Sequence, residues 1–106
     1  LSGGNQQKAV IGKWLKASAR VYVFVEPTSG VDIGAIKEIY DIILKLAGSG
    51  AAVIVISSSI KEILSLSERI IVIRKGDIVH ETAKSQSNYD QLLAISMGGT
   101  GEKTAA

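Results

Sequence analysis

The sequence contains no cysteine, one histidine and one methionine. The missing thiols exclude disulfides and thiolate metal sites and fit a reducing cytoplasm. His80 stands on a predicted hairpin strand with no other ligand type nearby, so it reads as a surface residue and not as a catalyst or metal ligand, and no metal site is assigned. Long hydrophobic runs are absent too. The strongest, residues 51–56, falls far short of the ~20 residues that cross a bilayer, and the opening residues do not read as a signal peptide. Any membrane role is therefore expected to work through a partner. Charge of one sign is scarce: twelve basic residues are scattered among ten acidic ones for a net charge of +2, which gives nucleic-acid binding no electrostatic footprint. There is no internal repeat and no low-complexity tract. The sole methionine is Met97, so Leu1 is not an ordinary translation start and the chain reads as a piece of a longer protein.

What is present is a core. Over 106 residues the chain is 46% hydrophobic and 21% charged, the composition of one small globular domain. Residues 1–97 are expected to form that domain, and 98–106, small and polar, a flexible tail. Val10, Ile11, Trp14 and Leu15 recur at helical spacing and predict a helix over 5–17, with Trp14 in its apolar stripe and Lys8 and Lys13 on its solvated face. Residues 21–25 are a β-branched and aromatic run ended by Glu26-Pro27, as in a buried strand leaving its sheet at a proline. Gly30 and Gly34 bracket a loop. From Ala35, the residues Ile36, Ile39, Tyr40, Ile43, Leu44 and Ala47 trace one face of a helix that stops at Gly48-Ser49-Gly50.

A second apolar run, 52–56, completes a strand, helix, strand unit, which requires a parallel pair and a right-handed crossover. The fold class is therefore α/β. Beyond it come a short helix with Ile60, Ile63 and Leu64, a strand over 69–74 and a tight turn at Lys75-Gly76-Asp77. Gly76 is free there to take positive φ, and the turn leads into an antiparallel strand over 78–82. Tyr89, Leu92 and Leu93 predict a last helix.

Two stretches carry chemistry. Leu1-Ser2-Gly3-Gly4-Asn5-Gln6-Gln7-Lys8 opens the first predicted helix, where unpaired N–H groups and the positive end of the dipole meet two glycines that admit an anion and a serine hydroxyl that can donate. A plain serine cap with a glycine turn is the bland reading of Ser-Gly-Gly by itself. Glu26 ends a predicted parallel strand, at the sheet edge where α/β proteins bind ligands, and could position or deprotonate a water. A solvent-facing turn glutamate is its bland counterpart.

The two stretches together resemble the ABC ATPase superfamily over residues 1 to about 93. Leu1 to Lys8 is similar to its signature motif, with the Asn-Gln-Gln-Lys continuation of sugar-importer ATP-binding subunits. Glu26-Pro27-Thr28-Ser29-Gly30-Val31-Asp32 resembles the catalytic glutamate and D-loop that follow the Walker B strand. The fold implied is part of a P-loop NTPase: a mostly parallel sheet, flanking helices and a C-terminal β-hairpin. The resemblance implies that Ser2, Gly3, Gly4 and Gln6 contact the γ-phosphate of ATP held by a second ATPase domain, that Asp32 reaches across the same interface, and that Glu26 and Ser58 belong to this domain's own site. Ser58 stands in Ile56-Ser57-Ser58-Ser59 where many relatives place a histidine. Val25 departs from the pattern, since the residue before the glutamate is normally an aspartate that helps hold Mg²⁺.

No G-x-x-x-x-G-K-[ST] loop occurs, so the chain is expected to hold one side of an ATP site and, in isolation, neither to hydrolyse ATP nor to bind it tightly. The implied function is part of the ATP-binding subunit of a sugar importer, with ATP and Mg²⁺ as cofactors of the intact assembly and permease subunits as partners. It would sit peripherally on the cytoplasmic face of the inner membrane. A soluble ABC ATPase of DNA repair or translation and a truncated, non-enzymatic regulator are the rival readings. The resemblance places the phosphate-loop strand between the strands at 52–56 and 69–74. Without it two edges stay open, and the isolated chain is expected to self-associate or to be marginally stable.

Overall fold

The computed structural model describes residues 20–98. The predicted helix over 5–17, with Ser2, Gly3, Gly4, Gln6, Lys8, Lys13 and Trp14, lies outside them, as does the tail beyond Gly98. The chain divides after Ser58 into two compact units.

The first unit is the expected β-α-β element. Strands β1 (Val21–Val25) and β2 (Ala52–Ile56) pair in parallel, Val21 opposite Ala52 through Val25 opposite Ile56. The ladder extends past both strands, with the Ala52 amide donating to the Arg20 carbonyl at 2.8 Å and the Glu26 amide to the Ile56 carbonyl at 2.7 Å. Between them runs α1 (Ile33–Gly48), which packs against β2 and buries Ile39, Ile43 and Leu46 to 3% exposure or less. Each such side chain gives about 1.5–3 kcal/mol relative to exposure.

Two expectations for α1 need correction. It begins at Ile33, not Ala35, so Gly34 lies inside the helix and does not close the preceding loop. Its buried face is also rotated from the predicted stripe: Leu46 is buried while Leu44 and Ala47 are exposed. At the end of α1 the Ser49 hydroxyl donates to the Leu46 carbonyl at 2.7 Å, satisfying one of the acceptors a helix leaves unpaired.

The strands depart from expectation in burial. Continuous apolar runs suit strands covered on both faces, yet β1 alternates: Tyr22 and Phe24 are buried, their rings stacked with centroids 6.3 Å apart, while Val21, Val23 and Val25 are more than half exposed. The register sets Ala52, Ile54 and Ile56 of β2 opposite those three valines. Because directly paired residues of a ladder share a face, the pair presents one wholly apolar, open face.

In the second unit, α2 (Ile60–Leu66) starts at Ser59, whose Oγ accepts from the Glu62 amide at 3.3 Å in a Ser-x-x-Glu start. Strands β3 (Arg69–Arg74) and β4 (Asp77–Ala83) form the antiparallel hairpin, one residue longer at each end of β4 than the sequence predicts. Lys75 and Gly76 both take positive φ, 51° and 85°, the conformation of a two-residue primed turn, so the turn asks for a left-handed residue at two positions where only Gly76 was expected. The ladder shifts register between Val72 and Ile73, and Arg69 pairs with Glu81 across the strands.

A 3₁₀ turn at Lys84–Gln86, unforeseen in the sequence, leads to α3 (Tyr89–Ser96), capped by Asn88 Oδ1 on the Gln91 amide at 2.8 Å. Helix α3 packs on α2 and β3 and contributes Leu92 and Ile95 to the buried set with Ile70. Arg74 Nη1 donates to the Ile95 carbonyl at 3.1 Å, placing a cation at the negative end of α3. His80 is not the surface residue expected: it is half-buried opposite Val72, and its Nε2 is buried without a hydrogen-bond partner.

Two isoleucines on α1 make the packing testable. Ile43, 1% exposed, should lose about 2–5 kcal/mol on replacement by alanine, and Ile33, 88% exposed, should change by no more than about 0.5 kcal/mol. Urea unfolding of both variants measures the difference.

Candidate functional site

The site lies at the carboxyl end of the parallel pair, within the first unit. Strand β1 ends at Val25, and Glu26 then turns into the left-handed region with φ of 48°. For a residue other than glycine this costs on the order of 1–3 kcal/mol and persists only where the surroundings fix it. Pro27, whose side chain is fully buried, disfavours the right-handed helical region at Glu26. The chain folds back at once, with the Ser29 amide on the Glu26 carbonyl and the Val31 amide on the Thr28 carbonyl, both at 3.1 Å. Gly30 has φ of 72°, a conformation that suits glycine.

Glu26 and Ser58, paired by resemblance alone in the sequence, are brought into contact. The Ser58 backbone N–H donates to Glu26 Oε1 at 2.7 Å, and the Ser58 hydroxyl to Oε2 at 3.3 Å. With its main-chain amide on Ile56, the half-buried glutamate is held from β2 through both backbone and side chain. A carboxylate offers about four acceptor positions. Those left over can face a water or a phosphoryl oxygen's partner.

Asp32 is not part of this cluster of bonds. It is the exposed N-cap of α1, yet its side chain makes no capping bond there, and the helix start is tied instead by the Ala35 amide on the Asp32 carbonyl at 2.9 Å. The carboxylate therefore stands in solvent at the end of the loop.

Val25, the residue before the glutamate, is 63% exposed on the open apolar face and offers no ligand atom. Among the described residues no group of three or more His, Cys, Asp or Glu could hold a metal ion. The position next to Glu26 therefore supplies no oxygen for a cation.

Two features of the site escape a sequence reading: the left-handed backbone at Glu26 and the amide of Ser58 as its main partner. Pro27 gives no signal for the first, since a residue before proline is biased toward extended backbone. Nothing in a side-chain pattern signals the second, because the donor is main chain.

Among proteins of known role, the chain is 46% identical over 97 residues to "Ribose import ATP-binding protein RbsA 2" of Streptomyces coelicolor, covering 92% of this chain and 19% of that protein. It is 44% identical to "Ribose import ATP-binding protein RbsA" of Oceanobacillus iheyensis over 97% of this chain and 21% of that one. "Arabinose import ATP-binding protein AraG 1" of Burkholderia ambifaria is 44% identical across the whole chain, again with 21% of its own length covered. The chain thus spans about a fifth of the length of these relatives.

Among solved structures, the dimeric ATP-binding cassette MJ0796 bound to ADP and Pi matches with a TM-score of 0.70 at 27% identity, over 84% of this chain and 38% of that one. The ADP conformation of MJ1267, an ATP-binding cassette of an ABC transporter, shares the fold with a TM-score of 0.71 at 23% identity, over 92% and 37%. No protein-family model matches. The homologues of the chain are ribose and arabinose import ATP-binding proteins, its structural neighbours are ABC ATPase cassettes, and its α/β fold is part of theirs.

The loop carrying this site predicts opposite effects for two glycines. A Cβ added at Gly30 or at Gly34 meets nothing within 4 Å, so backbone conformation alone decides. Gly30→Ala should destabilise by about 1–2 kcal/mol because φ is positive, and Gly34→Ala, inside α1, should stabilise by up to about 1 kcal/mol. Thermal melts of the two variants check the sign of each.

Proposed function

We propose that the chain is part of the ATP-binding subunit of an ABC-type sugar importer and that its main contribution is to complete an ATP site held by a second ATPase domain. The observation that carries this reading is the likeness, at 44–46% identity over nearly the whole chain, to import ATP-binding proteins for ribose and arabinose. Ser2, Gly3, Gly4 and Gln6, which lie outside the described residues, would meet the γ-phosphate of the partner domain's ATP, and the exposed Asp32 would reach toward the same interface.

Glu26 and Ser58 would serve this domain's own site. Glu26 stands where a strand-end carboxylate can orient a water, and the clasp from Ser58 supports that role. Val25 argues that turnover here is weak, since the residue expected to help place the metal has no oxygen. ATP and Mg²⁺ are cofactors of the intact assembly in this reading, and permease subunits couple it to the membrane. Among the described residues no helix is long and apolar enough to cross a bilayer, so attachment at the cytoplasmic face would run through those subunits.

The division of labour has a direct test in the assembled transporter. Ser2→Arg should lower steady-state ATPase activity by roughly tenfold or more, because a bulky side chain obstructs a pocket that must stabilise developing charge. Glu26→Gln should cost much less. Equal, severe losses would show that Val25 does not disable the local site, and an active Ser2→Arg protein would remove the signature assignment. A mere helix cap at Ser2 would cost about 1 kcal/mol of stability and leave turnover of the folded protein nearly unchanged.

The 106-residue chain by itself should self-associate or be only marginally stable. The open face of Val21, Val23, Val25, Ile54 and Ile56 gives the reason, since each of these side chains is more than half exposed. Light scattering at increasing concentration should show growth in mass, and a stable, monodisperse monomer at high concentration would contradict it.

A further inference from the structure

We propose that Ser58 is a positioning residue that sets Glu26 through its backbone N–H, with its hydroxyl contributing little. The proposal rests on the reading of Glu26 as the carboxylate that handles water, and it assigns the hold on that carboxylate to a group that no side-chain comparison would find.

The two contacts differ enough to rank them. The amide sits 2.7 Å from Oε1, at the short end of charge-assisted N–H···O bonds, whereas the hydroxyl lies 3.3 Å from Oε2, beyond the usual range for O–H···O. The amide is also fixed in direction. It belongs to the second residue after β2, and the last residue of that strand, Ile56, accepts the Glu26 amide at 2.7 Å. Glu26 N–H to Ile56, the chain from Ile56 to Ser58, and Ser58 N–H back to the Glu26 carboxylate form a closed ring.

A flexible side chain on a strained backbone is thereby held at two points by one neighbouring segment. The left-handed φ of 48° at Glu26 is the kind of conformation that needs such a hold. The consequence is a rule for position 58. Any residue with a backbone N–H keeps the clasp, and proline alone among the natural residues removes it. The serine hydroxyl, only loosely engaged, can turn to another partner without releasing Glu26.

Ser58 is solvent-exposed, so burial does not protect its amide and slow exchange there reports the bond itself. The experiment is nuclear magnetic resonance of the isotope-labelled 106-residue chain in dilute solution without nucleotide. In the unaltered chain the Ser58 amide should exchange roughly tenfold or more slowly than in Glu26→Ala, and its proton should resonate downfield of its position in that variant.

Ser58→Ala should keep both features. Glu26→Gln should keep part of the protection and of the downfield shift, because an amide oxygen still accepts but carries no charge. The proposal is overturned if Ser58→Ala behaves like Glu26→Ala, which would give the hold to the hydroxyl. It is overturned equally if Glu26→Ala leaves the Ser58 amide unchanged. No ATP enters these measurements, so a failed clasp is distinguishable from a failed assignment of function.

Discussion

The parallel pairing of β1 with β2 is the constraint on which the first unit depends, and its decisive bond is the one past the strand ends, from the Glu26 amide to the Ile56 carbonyl. That bond continues the ladder by one residue while the chain is already turning, so Glu26 is at once the end of the sheet and the start of the loop. Its backbone strain, its half-burial and the fixed direction of its carboxylate follow from being tied to β2 in this way. Helix α1 then has a defined start, because the loop from Pro27 to Asp32 is closed by its own short-range bonds before the first helical turn.

The same pair explains an apparent waste of hydrophobic residues. Both strands are apolar at every position, yet only the Tyr22 and Phe24 side of β1 is buried. Apolar alternation on both faces is the mark of a strand meant to be covered twice. Exposure of Val25, Ile54 and Ile56 therefore agrees with a chain that spans about a fifth of the length of its relatives. Val25 belongs to that apolar face by chemistry as well as by position. A valine there continues the row of Val21 and Val23, whereas an aspartate would put a charge into it.

Much of this was legible in the sequence because the signals were local and periodic. Both strands of the parallel pair carry the residues the apolar runs predict, and the hairpin follows from the turn at Gly76 between two apolar runs. The start of α1 was missed because Gly34 looks like a loop residue, although a helical glycine costs no more than about 1 kcal/mol, which burial of Ile39, Ile43 and Leu46 further along the helix outweighs. Its face was misread by part of a turn, since Leu44 and Leu46 are equally apolar and only the position of β2 chooses between them. The exposure assigned to His80 failed for a similar reason, as pairing with Val72 is a tertiary fact. At the site, geometry was not readable: Glu26 and Ser58 are 32 positions apart, and the bond that joins them most closely comes from a backbone amide.

The claim that joins these parts is that the chain lends its opening motif to a nucleotide held elsewhere while keeping a carboxylate clasp of its own. A structure of the intact subunit trapped with a non-hydrolysable ATP analogue addresses it most directly. The account predicts Ser2 Oγ and the amides of Gly3 and Gly4 within hydrogen-bonding distance of the γ-phosphate bound by the other ATPase domain, with Glu26 still clasped by the Ser58 amide. A γ-phosphate bound across the domains with residues 2–4 turned away from it would contradict the account.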